Sequence, residues 1–301
     1  MVRVLVPAST ANLGPGFDCV SLSLALHNEV TLEAGGEGLE IIVRGAGAAS
    51  IPRDERNLVY RAVHLVLTHL GFSADGLTIN VSCGIPPARG LGSSAAAIIG
   101  GMLAADQLCG QKLTRRQLLE LAVQIEPHPD NLAPALLGGF TVAVRTSAGV
   151  ECIRLEPPLD LRVAAAVPRY ELRTDDARAV LPVTVTHADA VYNVGRAALL
   201  VAGMAAGDSS LLKTAMKDRL HHPYRAQLVP GLMDVFQAAT NAGALGVSLS
   251  GAGPTIVALC RGSADTVAES MCRAFERNSI DADPLVLEVD RSGAILLEET
   301  G

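Results

Sequence analysis

The sequence lacks the side chains from which nucleic-acid sites are usually built. It has no tryptophan and only four tyrosines and five phenylalanines in 301 residues, so platforms for stacking bases are scarce. The 24 lysines and arginines are outnumbered by 31 aspartates and glutamates, and they form no basic run that would attract a phosphate backbone. We therefore expect an acidic protein that binds neither DNA nor RNA.

Paired cysteines and long apolar runs are also missing. The longest apolar stretch, 95–105, is interrupted by Gly100 and Gly101 and is much shorter than the roughly 20 residues that cross a bilayer. The N-terminus turns polar at once and lacks the apolar core of a signal peptide. We expect a cytoplasmic protein with no membrane partner. The six cysteines have no C-x-x-C spacing and no histidine at metal-ligand spacing, which predicts reduced, mostly buried thiols: Cys19, Cys83, Cys109, Cys152, Cys260 and Cys272.

What the sequence does contain is a large apolar fraction, 49%, which is enough for two packed units of ordinary domain size. The proline pair 157–158 marks the predicted boundary between residues 1–156 and residues 157–301. In the second unit, the apolar and alternating patterns predict strands at 161–167, 245–250, 255–260 and 285–289, and helices near 188–206, 210–220, 232–242 and 264–278. If the early helices count as one layer, the order is the ferredoxin-like β-α-β-β-α-β arrangement, and the fold class is α+β.

The first unit contains a strand that leads into a glycine- and serine-rich loop. Alternating apolar residues at 77–83 predict the strand, and an apolar helix follows the loop. At a helix start the free N–H groups can point at phosphate, and glycine lets the backbone approach closely. The segment is therefore a candidate anion site, and its residues are Pro86, Pro87, Ala88, Arg89, Gly90, Leu91, Gly92, Ser93, Ser94, Ala95 and Ala96.

Other interpretations of this loop compete. Residues 90–95 match the dinucleotide fingerprint G-x-G-x-x-A, but that fold needs a second strand ending in an acidic residue about 20 residues on. Here Thr114 and Gln117 have the spacing of a capping box, which predicts a helix running to about Glu126. The ATPase pattern G-x-x-x-x-G-K-[ST] occurs nowhere in the chain. A plain Gly-Ser turn before a core helix stays open from the loop alone.

Three segments, in order, resemble the motifs of the galactokinase, homoserine kinase, mevalonate kinase and phosphomevalonate kinase (GHMP) superfamily. They are PASTANLGPGFD at 7–18, PPARGLGSSAA at 86–96 and SGAGPT at 250–255. The resemblance runs from end to end and implies a two-domain GHMP-kinase-like fold, with an ATP-binding domain at 1–156 and a C-terminal domain at 157–301. It also implies that the second motif holds ATP phosphates, and that Ser94 and Glu126 bind Mg²⁺.

Within the superfamily the chain looks most like the homoserine kinase branch, because of EPHPDNLAPA at 126–135, ARAVLP at 177–182 and DRLHHPYR at 218–225. This branch implies L-homoserine as the acceptor, threonine biosynthesis as the context and a homodimer as the assembly. Homoserine carries a carboxylate, an ammonium and one hydroxyl, so its site needs guanidinium groups, an acid and neutral hydrogen-bonding partners. By resemblance Arg178 and Arg225 hold the carboxylate and Asp18 the ammonium, while the pocket is lined by Asn12, His128 and Asn131.

The resemblance leaves the catalytic step less determined. Mevalonate-type relatives use an aspartate as base, which makes Asp130 the local candidate, whereas homoserine kinases are generally described as managing without one. Our hypothesis is that Asp130 is structural or electrostatic and that Asn131 orients the reacting hydroxyl. Pro127 stands where the family commonly has glycine, and it biases Glu126 toward an extended backbone. The alternatives are a sibling kinase for mevalonate, shikimate or another small alcohol, a silent nucleotide-binding module, and a dinucleotide-binding oxidoreductase.

Overall fold

A computed structural model describes residues 1–297 of the chain. The N-terminal unit is built on a seven-stranded sheet in which β1 and β2 are central. The strand order is β11-β1-β2-β4-β3, and β5 pairs with both β2 and β6. The strands are β1 Val2–Asn12, β2 Gly16–Ala34, β3 Gly38–Gly45, β4 Gly76–Cys83, β5 Phe140–Thr146, β6 Gly149–Leu155 and, from the far end of the chain, β11 Ile295–Leu297.

Four helices belong to this unit, namely α1 Leu58–His69, α2 Ser93–Leu108, α3 Arg115–Ile125 and α4 Pro129–Leu137. The central one, α2, carries alanines, isoleucines and glycines that are buried on most sides. Gly100 lets it approach the sheet, because a Cβ there would lie 2.7 Å from Val30 Cγ2. Gly101 does the same toward α1, where a Cβ would lie 2.6 Å from the Val59 carbonyl oxygen. The helix is therefore a rigid mount for the loop that precedes it.

The C-terminal unit has a four-stranded antiparallel sheet in the order β10-β7-β9-β8. That is the strand order 4-1-3-2 of the predicted split βαβ arrangement, so this expectation is confirmed. The strands are β7 Arg162–Pro168, β8 Gly246–Leu249, β9 Ile256–Cys260 and β10 Ala282–Glu288. The helices are α5 Thr174–Ala179, α6 His187–Ala206, α7 Leu212–Ala215, α8 His222–Arg225, α9 Leu232–Asn241 and α10 Ala264–Arg277.

The two units share their packing through β7. Its residues Val163, Ala165 and Val167 belong to a large core cluster that spans both units, whereas Ala164 and Ala166 belong to a second cluster with residues of α9 and α10. This alternation follows from the period of two along a strand. The chain also returns to the first sheet at its end, because β11 pairs antiparallel with residues 3–5 of β1. The predicted division at 156/157 falls in the connection between β6 and β7.

Most of the predicted elements are present, and one prediction is wrong. The capping box at Thr114 and Gln117 is formed on both sides and starts α3, which confirms that a helix stands where the dinucleotide fold needs a strand. The helix predicted at 210–220 is instead a short 3-10 turn, Ser209–Leu211, and one turn of α7. It stops there because the buried Asp218 carboxylate accepts the N–H groups of Leu220, His221 and His222 and bends the chain.

The helix α4 was not predicted, because Pro129 and Pro134 both lie within it. Pro129 occupies its first turn, where a missing N–H costs nothing. Within residues 1–297 no helix is long and apolar enough to cross a membrane.

Candidate active site

One cavity of about 660 Å³ lies where the two units meet, and it gathers nearly all of the predicted site residues. The loop from Pro86 to Ser94 lines one side of it. The other predicted residues that line it are Asn12, Asp18, Glu126, His128, Asp130, Asn131, Arg178 and Arg225. Ala95 and Ala96, which we predicted in the phosphate loop, are fully buried in α2 and do not line the cavity.

The glycines of the loop permit contacts that no other residue allows. Gly92 precedes α2 with φ +71°, and a Cβ there would lie 2.0 Å from Ser9 Oγ. Gly90 has φ +79°, and a Cβ there would lie 2.2 Å from the Ser250 carbonyl oxygen. Because the residue before α2 is glycine and the first turn holds no acidic side chain, the N–H groups of that turn are left for an anion.

Hydrogen bonds join the loop to the first and third sequence motifs. Ser250 Oγ donates to the Gly90 carbonyl oxygen over 2.6 Å, and Ser9 N donates to the Leu91 carbonyl oxygen over 3.1 Å. Asn12 Nδ2 donates to the Gly251 carbonyl oxygen over 2.9 Å. Three segments that are distant in sequence thus form one framework around the cavity.

The two residues predicted to bind a metal lie side by side. Ser94 Oγ donates a hydrogen bond of 2.6 Å to Glu126 Oε2. Glu126 ends α3 in an extended conformation, as expected for a residue that precedes proline, and Pro127 leaves its carboxylate facing Ser94. Burial raises the pKa of Glu126, while the hydrogen bond from Ser94 and the charge of Arg178 oppose that rise. A hydroxyl and a carboxylate are hard oxygen donors of the kind that suits Mg²⁺.

Asp18 and Arg178 form an ion pair inside the cavity. Arg178 extends from α5 and donates from Nη2 and Nη1 to the two carboxylate oxygens of Asp18, over 2.6 and 3.1 Å. His128 Nδ1 lies 3.5 Å from Asp18 Oδ2. The backbone N–H of Asp18 donates to Asn12 Oδ1 over 3.0 Å. The side-chain amide of Asn12 is therefore hydrogen-bonded to backbone groups through both its nitrogen and its oxygen. These bonds stabilise the turn that positions Asp18.

Arg225 is a buried cation held by neutral groups. Its side chain is almost fully buried, and it donates to the carbonyl oxygens of Ala177 and Gly251 over 3.1 and 2.9 Å. Burial, with repulsion from Arg178, lowers its pKa to about 10. In the part of the chain that the structure describes, no carboxylate lies within 4 Å of its guanidinium. The positive charge of Arg225 is therefore available to bind an anion in the cavity.

Asp130 and Asn131 lie at the start of α4, which positions both. Burial raises the pKa of Asp130 to about 7, and the charges of Asp18 and Glu126 add to the effect. The N–H of Asn131 donates to Asp130 Oδ1 over 3.0 Å, and Asn131 Oδ1 accepts from Ser9 Oγ over 2.9 Å. The side chain of Asn131 is thus held in place by Ser9, which belongs to the first motif.

Sequence reasoning missed several residues of this site. Phe17 lies beneath both arginines, with its ring centroid 5.5 Å from the Arg178 Cζ and 5.2 Å from the Arg225 Cζ. Its signal was available, because it sits inside the first motif. Residues 50–52 and 56–59 also form walls of the cavity, and no motif in the sequence marks them as site residues.

The cavity combines an anion-ready helix start with a hydroxyl, a carboxylate and two guanidiniums, a set that suits phosphoryl transfer to a small charged acceptor. The GHMP kinases N terminal domain model matches residues 57–139, and the GHMP kinases C terminal model matches residues 200–277. The chain therefore has the two-domain fold of the GHMP kinases, which are ATP-dependent small-molecule kinases.

Similar proteins show to which family of small-molecule kinases the chain belongs. The chain is 43% identical to a homoserine kinase of Desulfitobacterium hafniense, with 99% of this chain and 100% of the relative covered. It is 45% identical to a homoserine kinase of Microchaete diplosiphon, over 99% of this chain and 98% of that one. A homoserine kinase structure from Cytophaga hutchinsonii aligns with a TM-score of 0.90 at 34% identity, covering 98% and 97% of the two chains. The chain belongs to the homoserine kinase family.

Proposed function

We propose that this protein transfers the γ-phosphate of ATP to the side-chain hydroxyl of L-homoserine, giving O-phospho-L-homoserine and ADP for threonine biosynthesis. The observation that carries the proposal is that one cavity holds the phosphate loop together with Asp18, Arg178 and Arg225. The anion-ready helix start suits the phosphates of ATP. The two cations and one anion suit an acceptor that carries both a carboxylate and an ammonium group.

The acceptor has a natural orientation in this cavity. Arg225 offers a charge without a carboxylate partner, and Arg178 offers a planar fork that is now paired with Asp18. We propose that the substrate carboxylate binds the two guanidiniums while Asp18 turns its charge to the ammonium group, helped by His128 at its edge. Asn12 supports that turn from behind.

Ser94 and Glu126 are the residues that we propose to hold Mg²⁺. Their oxygens lie 2.6 Å apart beside the phosphate loop, and they supply the hard oxygen donors that this ion prefers. Bound there, the ion would supply charge neutralisation for the phosphates of ATP.

Phosphoryl transfer depends mainly on positioning and charge stabilisation, so the chain needs no strong base. Asn131 is held by Ser9 in a fixed orientation, and we propose that it orients the acceptor hydroxyl. Asp130 lies next to it, and its raised pKa means that part of the population holds a proton near neutral pH. In this proposal Asp130 acts through the local charge balance and not as an obligatory base.

An assay of ADP release with Mg²⁺-ATP tests the acceptor. Homoserine, mevalonate and shikimate would be compared at equal concentrations. Mevalonate has a carboxylate and a hydroxyl but no ammonium, so it offers nothing for Asp18. A preference for mevalonate or shikimate would identify a sibling kinase instead.

The assembly and compartment are further parts of the proposal. We propose a homodimer whose interface includes the outer face of α6, where Val191 and Val194 are 57% and 70% exposed. Light scattering on the purified protein measures its mass directly, and a monomer of 31.2 kDa would contradict the proposed homodimer.

We also propose that the protein works in the cytoplasm, where ATP is available.

A further inference from the structure

Arg225 is held entirely by groups that carry no negative charge. Two carbonyl oxygens accept from its Nε and Nη1 atoms, and His221 Nδ1 lies 3.4 Å from Nη1. The ring of Phe17 covers the guanidinium. Burying a charge without a direct ion pair is costly, so Arg225 needs a support that fixes it in place without cancelling its charge.

The hydrogen bonds of His221 identify its tautomer. Its Nε2 atom lies 2.8 Å from the Gly14 carbonyl oxygen, which can only accept, so Nε2 carries the hydrogen. Its Nδ1 atom faces a guanidinium, which can only donate, so Nδ1 keeps its lone pair. The ring is fully buried, and burial lowers the pKa of His221 to about 4. The imidazole is therefore neutral at physiological pH.

His221 is itself fixed by the structure around it. Asp218 accepts the backbone N–H of His221 over 2.9 Å, and Asn193 Nδ2 donates to the same carboxylate over 2.7 Å. Phe17 lies against the His221 ring at a centroid distance of 5.2 Å. On the other side, Gly14 allows the first motif to come close, because a Cβ there would lie 2.1 Å from the Met216 carbonyl oxygen.

The same cluster also has the spacing of a metal site, since ligand atoms of Asp218, His221 and His222 lie within 4.8 Å of one another. These atoms already have partners. His222 Nε2 accepts the N–H of Leu249 over 3.2 Å, His221 Nε2 donates to Gly14, and the Asp218 oxygens accept several N–H groups. The cluster is a hydrogen-bonded support and not a vacant ligand set.

We propose that His221 is a positioning residue that fixes the Arg225 guanidinium in the acceptor site while leaving its positive charge free for the substrate carboxylate. The inference deepens the proposed function and rests on it for the identity of the acceptor. A neutral acceptor atom is the essential property. A carboxylate at this position would pair with Arg225 and compete with the substrate.

Two substitutions of His221, by side chains of equal size, distinguish the effect of a negative charge beside Arg225 from the effect of a change in shape. His221→Gln keeps a neutral oxygen or nitrogen near Arg225, whereas His221→Glu places a negative charge there. His69, which is exposed in the last turn of α1, receives the same two substitutions as the matched control. Thermal unfolding and binding of a fluorescent ATP analogue report whether each variant folds.

The readout is the preference for homoserine over 3-aminopropan-1-ol, which has the ammonium and hydroxyl groups but no carboxylate. His221→Glu should reduce the ratio of kcat/KM for the two acceptors by about tenfold or more, mainly through the KM for homoserine, with little change in the KM for ATP. His221→Gln should keep most of the preference. Equal losses on both acceptors in both variants would overturn the proposal, as would an unchanged ratio in a folded His221→Glu protein.

A second measurement does not depend on the acceptor. The ¹⁵N resonances of the His221 ring in the wild-type protein should show a neutral Nε2-H imidazole from pH 6 to 8. A protonated ring, or the Nδ1-H form, would overturn the positioning role even if homoserine proves to be the acceptor. A wild-type protein with a neutral His221 but no homoserine kinase activity would instead contradict the proposed function.

Discussion

The guanidinium of Arg178 and the carboxylate of Asp18 form a two-bond ion pair inside the cavity, with Nη2–Oδ1 at 2.6 Å and Nη1–Oδ2 at 3.1 Å. These are the residues that we propose to bind opposite ends of the acceptor. Without substrate the two charges compensate each other, so both side chains stay in place at the site. A zwitterionic substrate can replace the pair with two new ones, and an uncharged alcohol cannot.

Asp18→Asn should therefore raise the KM for homoserine by about tenfold or more, since the ammonium loses its counterion. The KM for ATP should change much less, because Asp18 does not belong to the phosphate loop. Steady-state kinetics with each substrate varied in turn measure both effects. Asp265→Asn, which is exposed in the first turn of α10, is the control. Equal increases in both KM values would mean that Asp18 shapes the whole site and does not bind the ammonium.

Arg225→Ala should weaken homoserine use by roughly 2 to 5 kcal/mol in kcat/KM, the range for truncating one partner of a buried charge pair. Arg225 has no carboxylate partner of its own among the described residues, so this loss comes from the substrate side. Nucleotide binding, measured by fluorescence, should persist and shows that the variant is folded. An unchanged specificity constant would refute the assignment of Arg225 to the acceptor carboxylate.

Glu126→Gln should raise the Mg²⁺ concentration needed for half-maximal activity, because the amide removes the negative charge beside Ser94 Oγ. Ser94→Ala should act in the same direction with a smaller effect, since it removes one neutral oxygen. The measurement is activity against Mg²⁺ at fixed ATP. Glu120→Gln, on the surface of the same helix, serves as control. A Mg²⁺ dependence identical to that of the wild type in both variants would exclude these residues as ligands.

Asp130 should make the stability of the metal-free protein depend on pH. Its pKa is about 7 in the folded protein and 3.8 in the reference state, so between these values the folded state holds a proton that the unfolded chain has lost. Stability therefore falls as pH rises from about 4 to 7 and then levels off. Asp130→Asn removes this cost and should be more stable than the wild type at pH 8, by roughly 2 to 4 kcal/mol.

Urea unfolding in the presence of EDTA at several pH values checks this prediction, with the exposed Asp281→Asn as control. The difference between Asp130→Asn and the wild type should shrink toward pH 4. The same variant tests the catalytic hypothesis: if it bound both substrates normally but did not turn over, Asp130 would be an obligatory base.

Gly92→Ala should disrupt the phosphate loop. The substitution strains a backbone at φ +71° and places a Cβ 2.0 Å from Ser9 Oγ, and Ser9 in turn holds Asn131. We expect the KM for ATP to rise and kcat to fall. Gly110→Ala is a matched control, because Gly110 has φ +87° but nothing within 4 Å of its Cβ position. Similar kinetics for the two variants would mean that the loop tolerates the clash.

Local patterns in the sequence predicted the elements that depend on near neighbours. The capping box of α3 and the strand before the phosphate loop both follow from residues a few positions apart. The helix predicted at 210–220 failed because Asp218, which is buried by distant contacts with Asn193, accepts backbone N–H groups that a continuous helix would use. No local pattern carries that information.

The same distinction applies to the site. Motif resemblance predicted which side chains line the cavity, since each motif fixes its own residues. It did not predict that Arg178 pairs with Asp18, that Arg225 lacks a carboxylate, or that Phe17 lies beneath both guanidiniums. Those contacts join residues about 160 or more positions apart, and they follow from how the start of β2, α5 and α8 are packed together.

The proposed function is tested most directly by the acceptor specificity of phosphoryl transfer by the purified wild-type protein. ADP release with Mg²⁺-ATP would be measured against homoserine, mevalonate and shikimate, and the product would be identified by mass spectrometry. We predict that homoserine has the highest kcat/KM and yields O-phosphohomoserine. A higher kcat/KM for mevalonate or shikimate, or no ADP release with any of the three, would contradict it.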